Sequence, residues 1–181
     1  YIACLDPIGV IRGKKEYSIT PEAYGKFLIE LFKLWKNDLY EGTQPYIRQF
    51  ENYIGILLGA AIESCEQRGV CSHQTIVESD GSVYPCDFYA MDSYKLGNFL
   101  VDDFDNINNK RQAIKFVEQS YNHSEKCKKC IYFYICRGGC RRHREQLYGD
   151  EGINYFCEAY KMFFDECLLD MKKIAIKCLK G

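Results

Sequence analysis

The sequence predicts a mixed α+β fold whose first part has the α/β pattern of a strand followed by a helix. Three observations carry this prediction: two long stretches with apolar residues at helical spacing, and one strong β-hairpin signal between them. The chain has 181 residues, of which 47% are apolar, so it can bury a hydrophobic core. We expect cysteine-rich loops and a small hairpin to lie between the helices.

The N-terminal stretch predicts a buried strand. Residues 1–5 form a short apolar run that ends at Asp6 and Pro7, as a parallel strand does where it enters a loop. Cys4 lies within this run, and we interpret it as a small buried hydrophobic residue.

The first predicted helix begins after Thr20. Its hydroxyl can cap the helix, Pro21 suits the first helical position, and Glu22 places an acid in the first turn. Gly42 is the predicted end. Apolar residues recur at helical spacing between these limits: Tyr24, Phe27, Leu28, Leu31, Phe32, Leu34, Trp35 and Leu39.

A second helix is predicted from Phe50 to about Ala61, and it leads the chain to Cys65. Gly55 within it costs about 1 kcal/mol of helix stability relative to alanine. The apolar side consists of Phe50, Tyr53, Ile54, Leu57 and Leu58.

The segment 75–85 predicts a β-hairpin. Apolar pairs at 76–77 and 83–84 flank Asp80 and Gly81, and an Asp-Gly pair between apolar runs is a strong short-range hairpin signal. The turn would bring Cys86 back toward Cys71.

Two further helices are predicted after the hairpin. The stretch 105–121 is polar with one apolar side, formed by Ile107, Ile114, Val117 and Tyr121. The stretch 155–179 carries a longer apolar side, formed by Phe156, Tyr160, Phe163, Phe164, Leu168, Met171, Ile174 and Ala175. Cys167 and Cys178 lie on or near that side, and we interpret both as small buried hydrophobic residues rather than metal ligands.

Eight of the eleven cysteines have a spacing typical of metal ligands. They are Cys65, Cys71, Cys86, Cys127, Cys130, Cys136, Cys140 and Cys157. Four thiolates hold one iron–sulfur cluster, so eight suffice for two, and in ferredoxins with two clusters the fourth cysteine of a run can bind the other cluster.

Disulfide bonds and structural zinc are the other possible uses of these cysteines. The total number is odd and the chain starts without an apolar signal segment, which disfavours a disulfide framework. Structural zinc also uses Cys-x2-Cys pairs and four thiolates, and spacing alone does not separate it from iron. A purely local grouping would place one metal on Cys127, Cys130, Cys136 and Cys140, and the other on Cys65, Cys71, Cys86 and Cys157.

The pattern from Cys71 to Cys157 resembles the seven-cysteine motif of the SPASM domain, the auxiliary-cluster domain of many radical S-adenosylmethionine (SAM) enzymes, with Cys65 as an extra upstream ligand. Residues 77–89 (VESDGSVYPCDFY) and 138–142 (GGCRR) resemble the anaerobic sulfatase-maturating enzymes in particular. The resemblance covers nearly the whole chain. It implies the last strand–helix units of a partial (β/α) barrel at residues 1–62, followed by a SPASM domain at residues 63–181.

The resemblance also implies an interleaved assignment of ligands to two 4Fe–4S clusters. The first auxiliary cluster would use Cys65, Cys71, Cys86 and Cys140. The second would use Cys127, Cys130, Cys136 and Cys157.

Radical SAM enzymes bind SAM at a third 4Fe–4S cluster, held by a Cys-x3-Cys-x2-Cys loop, and no three cysteines here have that spacing. The chain also starts without methionine. It therefore reads as the C-terminal part of a longer protein that carries SAM and the third cluster elsewhere. We expect this part alone to be unable to cleave SAM.

Asp87 is the candidate catalytic residue. It follows Cys86 directly, and a carboxylate near an anionic cluster, if partly buried, would have a raised pKa suited to a general base. A turn-capping role is the alternative from sequence alone. The resemblance implies that Asp87 deprotonates the target side chain.

In the function that the resemblance implies, a cysteine or serine of a sulfatase is oxidised to Cα-formylglycine. The released electron would leave through the first auxiliary cluster, and the second would carry it to the surface. The expected partners are a sulfatase polypeptide and an electron carrier such as a ferredoxin or flavodoxin. Two alternatives are another SPASM-type maturase, for example one that forms thioether crosslinks, and a zinc-binding module.

Composition adds few further constraints. A net charge of -1 predicts no general attraction to nucleic acid or membrane, and no apolar run is long enough to span a bilayer, so we expect a soluble, cytoplasmic protein. Basic residues near the second cysteine group would stabilise an anionic cluster; they are Lys126, Lys128, Lys129, Arg137, Arg141, Arg142 and Arg144. His143, in the same run, is predicted to be a surface residue.

Overall fold

The structure, a computed structural model, describes residues 6–7, 10–145 and 152–179. The strand predicted at residues 1–5, with Cys4, lies outside the described residues. The described chain forms two compact units, one built from the residues up to 69 together with those from 123 onward, and the other from residues 70–122. The predicted boundary at 62/63 separates the barrel part from the SPASM domain, which is a different division from these two units, and it stays a prediction.

The first unit is helical. Its helices are α1 (Pro21–Tyr40), α2 (Arg48–Leu57), α3 (Cys65–Arg68), α6 (Glu125–Lys128), α7 (Phe133–Cys136), α8 (Arg141–Arg144) and α9 (Cys157–Cys178). The second unit contains β1 (Ile76–Val77), β2 (Ser82–Tyr84), β3 (Gly97–Asn98), α4 (Phe104–Ile114) and α5 (Phe116–Gln119), with 3₁₀ turns at Asp87–Tyr89 and Asp92–Tyr94.

Helix α1 starts as the sequence predicts. The Thr20 side chain accepts a hydrogen bond from the Ala23 amide at 3.2 Å, and Pro21 is the first helical residue. The apolar stripe is narrower than predicted, because Phe27 and Leu34 are exposed. Helix α2 covers most of the second predicted helix but ends at Leu57, before Ala61.

The core of the first unit is aromatic. Helix α1 packs along α9, and the Phe32 ring lies edge-on to Phe50 and Phe163, with centroids 5.3 and 5.8 Å away. Edge-to-face pairs of this kind stabilise a core beyond the apolar area they bury. The Lys36 ammonium donates to the Asp170 carboxylate at 2.7 Å and ties the two helices at the edge of this core.

The second unit is built on a three-stranded antiparallel sheet of order β1-β2-β3. The predicted hairpin is confirmed, with Ile76 opposite Tyr84 and Val77 opposite Val83. Gly81 has a φ of +81°, a left-handed conformation that favours glycine in the turn. The third strand was not predicted, since two residues carry too little pattern to be recognised.

The single helix predicted over 105–121 is wrong. Lys115 adopts a left-handed conformation with φ +47° and separates α4 from α5. The break lets Ile107 of α4 pack with Val83, while Phe116 of α5 packs against Tyr89 in a separate apolar cluster. Tyr121, predicted on the buried side, is exposed.

No helix among the described residues is both long and apolar enough to cross a lipid bilayer.

Candidate metal centre

Four cysteines of the first unit surround one cavity of about 420 Å³. They are Cys127, Cys130, Cys136 and Cys157. This is the set that the family resemblance implies for the second auxiliary cluster. Cys140, which a local grouping would place here, is not among the residues that line the cavity.

Short helices and turns deliver the first three thiols. Cys127 lies in α6, whose cap is Ser124, and Cys130 follows in a turn closed by its amide donating to the Cys127 carbonyl at 3.0 Å. Cys136 ends α7, because Arg137 adopts a left-handed conformation with φ +51°. The segment that carries Cys127, Cys130 and Cys136, predicted as a cysteine-rich loop, therefore contains helical turns.

Asn154 joins the turn after α7, at Gly138, to the start of α9. Its side-chain amide donates to the Gly138 carbonyl at 3.1 Å, and its oxygen accepts from the Phe156 amide at 2.8 Å. Its backbone carbonyl also accepts from the Cys157 amide at 2.9 Å. Asn154 is buried, and sequence reasoning missed it because a single asparagine after a loop carries no distinctive spacing.

Gly69, the residue after α3, allows the chain there to lie close to Arg137, the residue after α7. Its φ is +71°, and a β-carbon there would lie 1.9 Å from the carbonyl oxygen of Arg137. No side chain other than hydrogen fits at this position, so the residue after α3 is held directly against the residue after Cys136.

Burial raises the pKa of three of the cavity thiols, those of Cys127, Cys136 and Cys157. Desolvation raises the pKa of Cys136 to about 12, and it also raises the pKa values of Cys127 and Cys157. The ammonium of Lys161 acts in the opposite direction on Cys157. These three thiols are therefore protonated in the metal-free chain, and binding of iron or zinc has to displace their protons.

The rest of the cavity wall is mainly apolar and aromatic, and its polar members are two lysines and a glutamate. The apolar and aromatic residues are Tyr132, Phe133, Ile153, Tyr160 and Phe164. Lys126, Glu158 and Lys161 are the charged ones. A mainly apolar wall with nearby cations suits an anionic cluster bound by thiolates, because the reduction potential of such a cluster depends on solvent exposure and charge.

The four thiols around the cavity fit an iron–sulfur cluster by their chemistry, because four cysteine thiolates are the usual ligands of such a cluster. Four thiolates are also a donor set of structural zinc. Within the described ranges, no three His, Cys, Asp or Glu side chains are grouped closely enough to hold one metal ion.

The other four predicted ligands are divided between the units. Cys65 opens α3 and Cys140 precedes α8 in the first unit. In the second unit, Cys71 and Cys86 pack against the same apolar cluster, which is formed by Tyr89, Phe116 and Val117. The Cys71 amide donates to the hydroxyl of buried Ser120 at 2.8 Å.

Asp87 lies in the second unit, at the start of the 3₁₀ turn after Cys86. Its carboxylate accepts a hydrogen bond from the Cys86 thiol at 3.2 Å and another from the Phe88 amide at 3.0 Å. The side chain is exposed in the described chain, whereas the sequence analysis expected partial burial.

Several basic residues near the cysteines are buried rather than exposed. Arg141, Arg142, His143 and Arg144 form α8, and each is less than 9% exposed. The Arg144 guanidinium donates to the Gly69 carbonyl at 3.1 Å, so it has a structural role. Lys126, Lys128 and Lys129 are exposed, as expected of a basic surface.

The prediction that His143 is a surface residue is wrong. It is 7% exposed, and burial, with a smaller contribution from Arg12, lowers its pKa to about 4. The single helical turn of α8 turns its ring inward, where it lies edge-on to Phe156 at 5.0 Å.

The two cysteines of α9 behave differently. Cys167 is 2% exposed, which confirms its interpretation as a buried residue. Cys178 is exposed, so that interpretation is wrong for it; it lies in the last turn of α9.

Comparison with known proteins gives these features a family context. Residues 65–131 match SPASM, an iron–sulfur cluster-binding domain. The chain is 41% identical over 176 residues to the cysteine-type anaerobic sulfatase-maturating enzyme of Clostridium novyi, covering 97% of this chain and 47% of that protein. It is 42% identical over 166 residues to the protein of the same description from Clostridium perfringens, covering 91% and 45%.

The serine-type anaerobic sulfatase-maturating enzyme of Bacteroides thetaiotaomicron is more distant, at 28% identity over 153 residues, covering 82% of this chain and 36% of that protein. Among solved structures, native anSMEcpe with bound AdoMet matches with a TM-score of 0.86 and 40% identity, over 97% of this chain and 48% of that one. The match is to the C-terminal half of that structure.

The chain spans about half the length of the curated relatives it matches. Over the residues that it spans, it belongs to the family of the anaerobic sulfatase-maturating enzymes and carries a SPASM domain.

Proposed function

We propose that this chain supplies two auxiliary 4Fe–4S clusters, and the general base Asp87, to a radical SAM enzyme that oxidises a sulfatase side chain to Cα-formylglycine. The observation that carries the proposal is the cavity lined by four cysteines, in a chain about 40% identical to sulfatase-maturating enzymes. SAM and a third cluster would be bound outside this chain, and we place the enzyme in the cytoplasm.

For the second cluster, the proposed ligands are Cys127, Cys130, Cys136 and Cys157. Their support is the shared cavity and its apolar wall. For the first cluster, the proposed ligands are Cys65, Cys71, Cys86 and Cys140, and the support is the spacing of the cysteines and the SPASM match. Such clusters, when bound, supply one-electron transfer.

Asp87 is proposed to take the proton from the side chain that is oxidised. Its exposed carboxylate is within 3.2 Å of the Cys86 sulfur, so a substrate group that reaches Asp87 also reaches the neighbourhood of a proposed cluster ligand. A general base has to lie within hydrogen-bond reach of the proton that it removes, and an exposed carboxylate is open to such an approach.

The proposed substrate is a cysteine of a sulfatase polypeptide rather than a serine. Identity to the cysteine-type relatives is 41–42%, and identity to the serine-type relative of Bacteroides thetaiotaomicron is 28%. A solved structure that matches with a TM-score of 0.85 contains a bound peptide as well as AdoMet. The electron released on oxidation calls for a one-electron carrier protein, such as a ferredoxin or flavodoxin, as a second partner.

Metal analysis of the anaerobically reconstituted chain tests the proposal. We expect iron and acid-labile sulfide in the ratio of two 4Fe–4S clusters, and no zinc. Cys136→Ala should lose one of the clusters and Cys140→Ala the other, as separated by electron paramagnetic resonance (EPR). Cys167→Ala removes a buried thiol outside both ligand sets and should keep both clusters.

Two outcomes would contradict the proposal. If the analysis finds zinc and no acid-labile sulfide, the chain is a zinc-binding module and not a cluster-binding one. If Cys140→Ala and Cys136→Ala removed the same cluster, the local grouping of cysteines would replace the interleaved one.

A further inference from the structure

Tyr160 of α9 lies close to both proposed sets of cysteine ligands. It lies three residues after Cys157 on α9, which puts both side chains on the same face of the helix. It lines the cavity with the four thiols of the second ligand set and is 2% exposed. Its ring is therefore part of the wall of that site.

The hydroxyl of Tyr160 points away to a different segment. It donates a hydrogen bond to Glu66 Oε1 at 2.7 Å. Glu66 directly follows Cys65 in the single turn of α3, and Cys65 belongs to the first ligand set. Burial raises the pKa of Tyr160 well above its usual range, so the hydroxyl keeps its proton and remains the donor.

The ring of Tyr160 also lies beside the segment that carries Cys140. A β-carbon on Gly139 would lie 3.7 Å from Tyr160 Cε2, so the ring lies close to the residue before Cys140. Gly139 has a φ of +67°, so the backbone there is fixed in a left-handed turn. One buried side chain thus binds the neighbour of Cys65, lies close to the neighbour of Cys140, and lines the cavity of the four thiols of the second ligand set.

We propose that Tyr160 is a positioning residue shared by both cluster sites, and that its hydrogen bond to Glu66 orients Cys65 relative to the four-cysteine cavity. This inference rests on the proposed function. Groups that hold ligands in place are known to tune metal sites, and cluster potentials respond to hydrogen bonding and charge near the sulfurs. Without the hydroxyl, the Glu66 carboxylate would lose its buried donor and α3 its link to α9.

Tyr160→Phe removes only the hydroxyl and is the variant that tests the inference. We expect it to shift the midpoint potential of the cluster bound through Cys65, measured by EPR-monitored redox titration of the reconstituted chain. Glu66→Ala breaks the same bond from the other side, so the double variant should show no further shift due to Tyr160→Phe. Tyr155→Phe is the control, because it removes a hydroxyl of the same unit that donates to the Ile19 carbonyl, and Tyr155 does not line the cavity.

The outcomes separate this inference from the function on which it rests. An unchanged potential of the Cys65-bound cluster in Tyr160→Phe, with both clusters present, would overturn the inference alone. Additive shifts in the double variant would do the same. If Tyr160→Phe loses a cluster, loss of the Cys65-bound one supports the inference and loss of only the other overturns it. A wild-type chain without two clusters would overturn the proposed function, and this inference with it.

Discussion

At the scale of single residues, Asp87 and His143 show how much the environment decides. Both are titratable and lie close to a cysteine in sequence, Asp87 beside Cys86 and His143 three residues after Cys140. The carboxylate is exposed and accepts two hydrogen bonds, whereas the imidazole is buried and neutral. Asp87 is therefore available to a substrate, and His143 is part of the packing.

Asp87→Asn should separate catalysis from turn capping. Asparagine keeps an oxygen for the Phe88 amide but does not accept a proton from a substrate, so formylglycine formation should fall by roughly 100-fold or more. The measurement is aldehyde formation in a cysteine-containing sulfatase peptide, made with the enzyme that carries this chain, while SAM cleavage continues. Cluster content has to equal that of the wild type. A yield near the wild-type level would leave Asp87 only its role in the turn.

His143 should make the fold sensitive to acid. Its pKa is lowered from 6.5 to about 4, so the unfolded chain binds a proton more readily than the folded one between these values. This contribution to stability is complete above pH 6.5 and is lost as the pH falls toward 4; it amounts to about 3 kcal/mol at most.

His143→Gln lacks that titration, and its free energy of unfolding should fall less than that of the wild type between pH 7 and pH 4.5. Cluster loss in acid affects both proteins, so the difference between their pH profiles isolates the histidine. Parallel profiles would show that His143 is not held neutral by burial.

At the scale of secondary structure, backbone conformation decides where the elements end. The helix over 105–121 is interrupted at Lys115, an exposed residue with φ +47°. Its side chain gives no reason for the break. The break lets the buried residues on either side pack into two different apolar clusters.

Lys115→Gly should stabilise the chain by about 0.5–1 kcal/mol, because glycine adopts the left-handed conformation without the steric cost of a β-carbon, although it has more entropy to lose on folding. Chemical denaturation gives the free energy of unfolding. Lys115→Ala removes the same charge and chain but keeps the β-carbon, so it should show no such gain. Equal effects of both substitutions would mean that the gain comes from the lysine side chain.

At the scale of the whole molecule, two parts of the first unit differ in what stabilises them: the packing of α1 on α9, and the cysteine-rich segment 125–142. The contact between α1 and α9 is a largely aromatic core, and Cys136 is the proposed metal ligand that packs against it. The segment 125–142 has only single helical turns, and three of its residues point thiols into a cavity. Metal binding free energy is folding free energy for a segment of that kind.

The metal-free chain should therefore lose order in one part and keep it in another. Amide hydrogen exchange should show residues 69–72 and 125–142 unprotected, while α9 retains protection from its packing on α1. The reconstituted chain is the reference. Native-like protection of both segments without metal would show that the loops fold independently of the clusters.

The sequence by itself determined the elements that have strong local signals. The cap at Thr20, the apolar period of α1 and α9, and the Asp-Gly turn all depend on residues near each other in the chain, and the structure contains each of them. The cysteine spacing likewise pointed to a metal-binding domain of the SPASM family, which the family match confirms.

The tertiary structure alone decided which groups meet across the chain. Spacing alone left two groupings of the cysteines open, and the family resemblance implied one of them. In the structure, Cys157 lies with Cys127, Cys130 and Cys136 around one cavity, where Asn154 binds Gly138 next to the start of α9. The burial of His143 and the contact of Tyr160 with Glu66 also join residues far apart in sequence. Such contacts depend on how helices and loops pack, and local propensity and spacing carry no information about them.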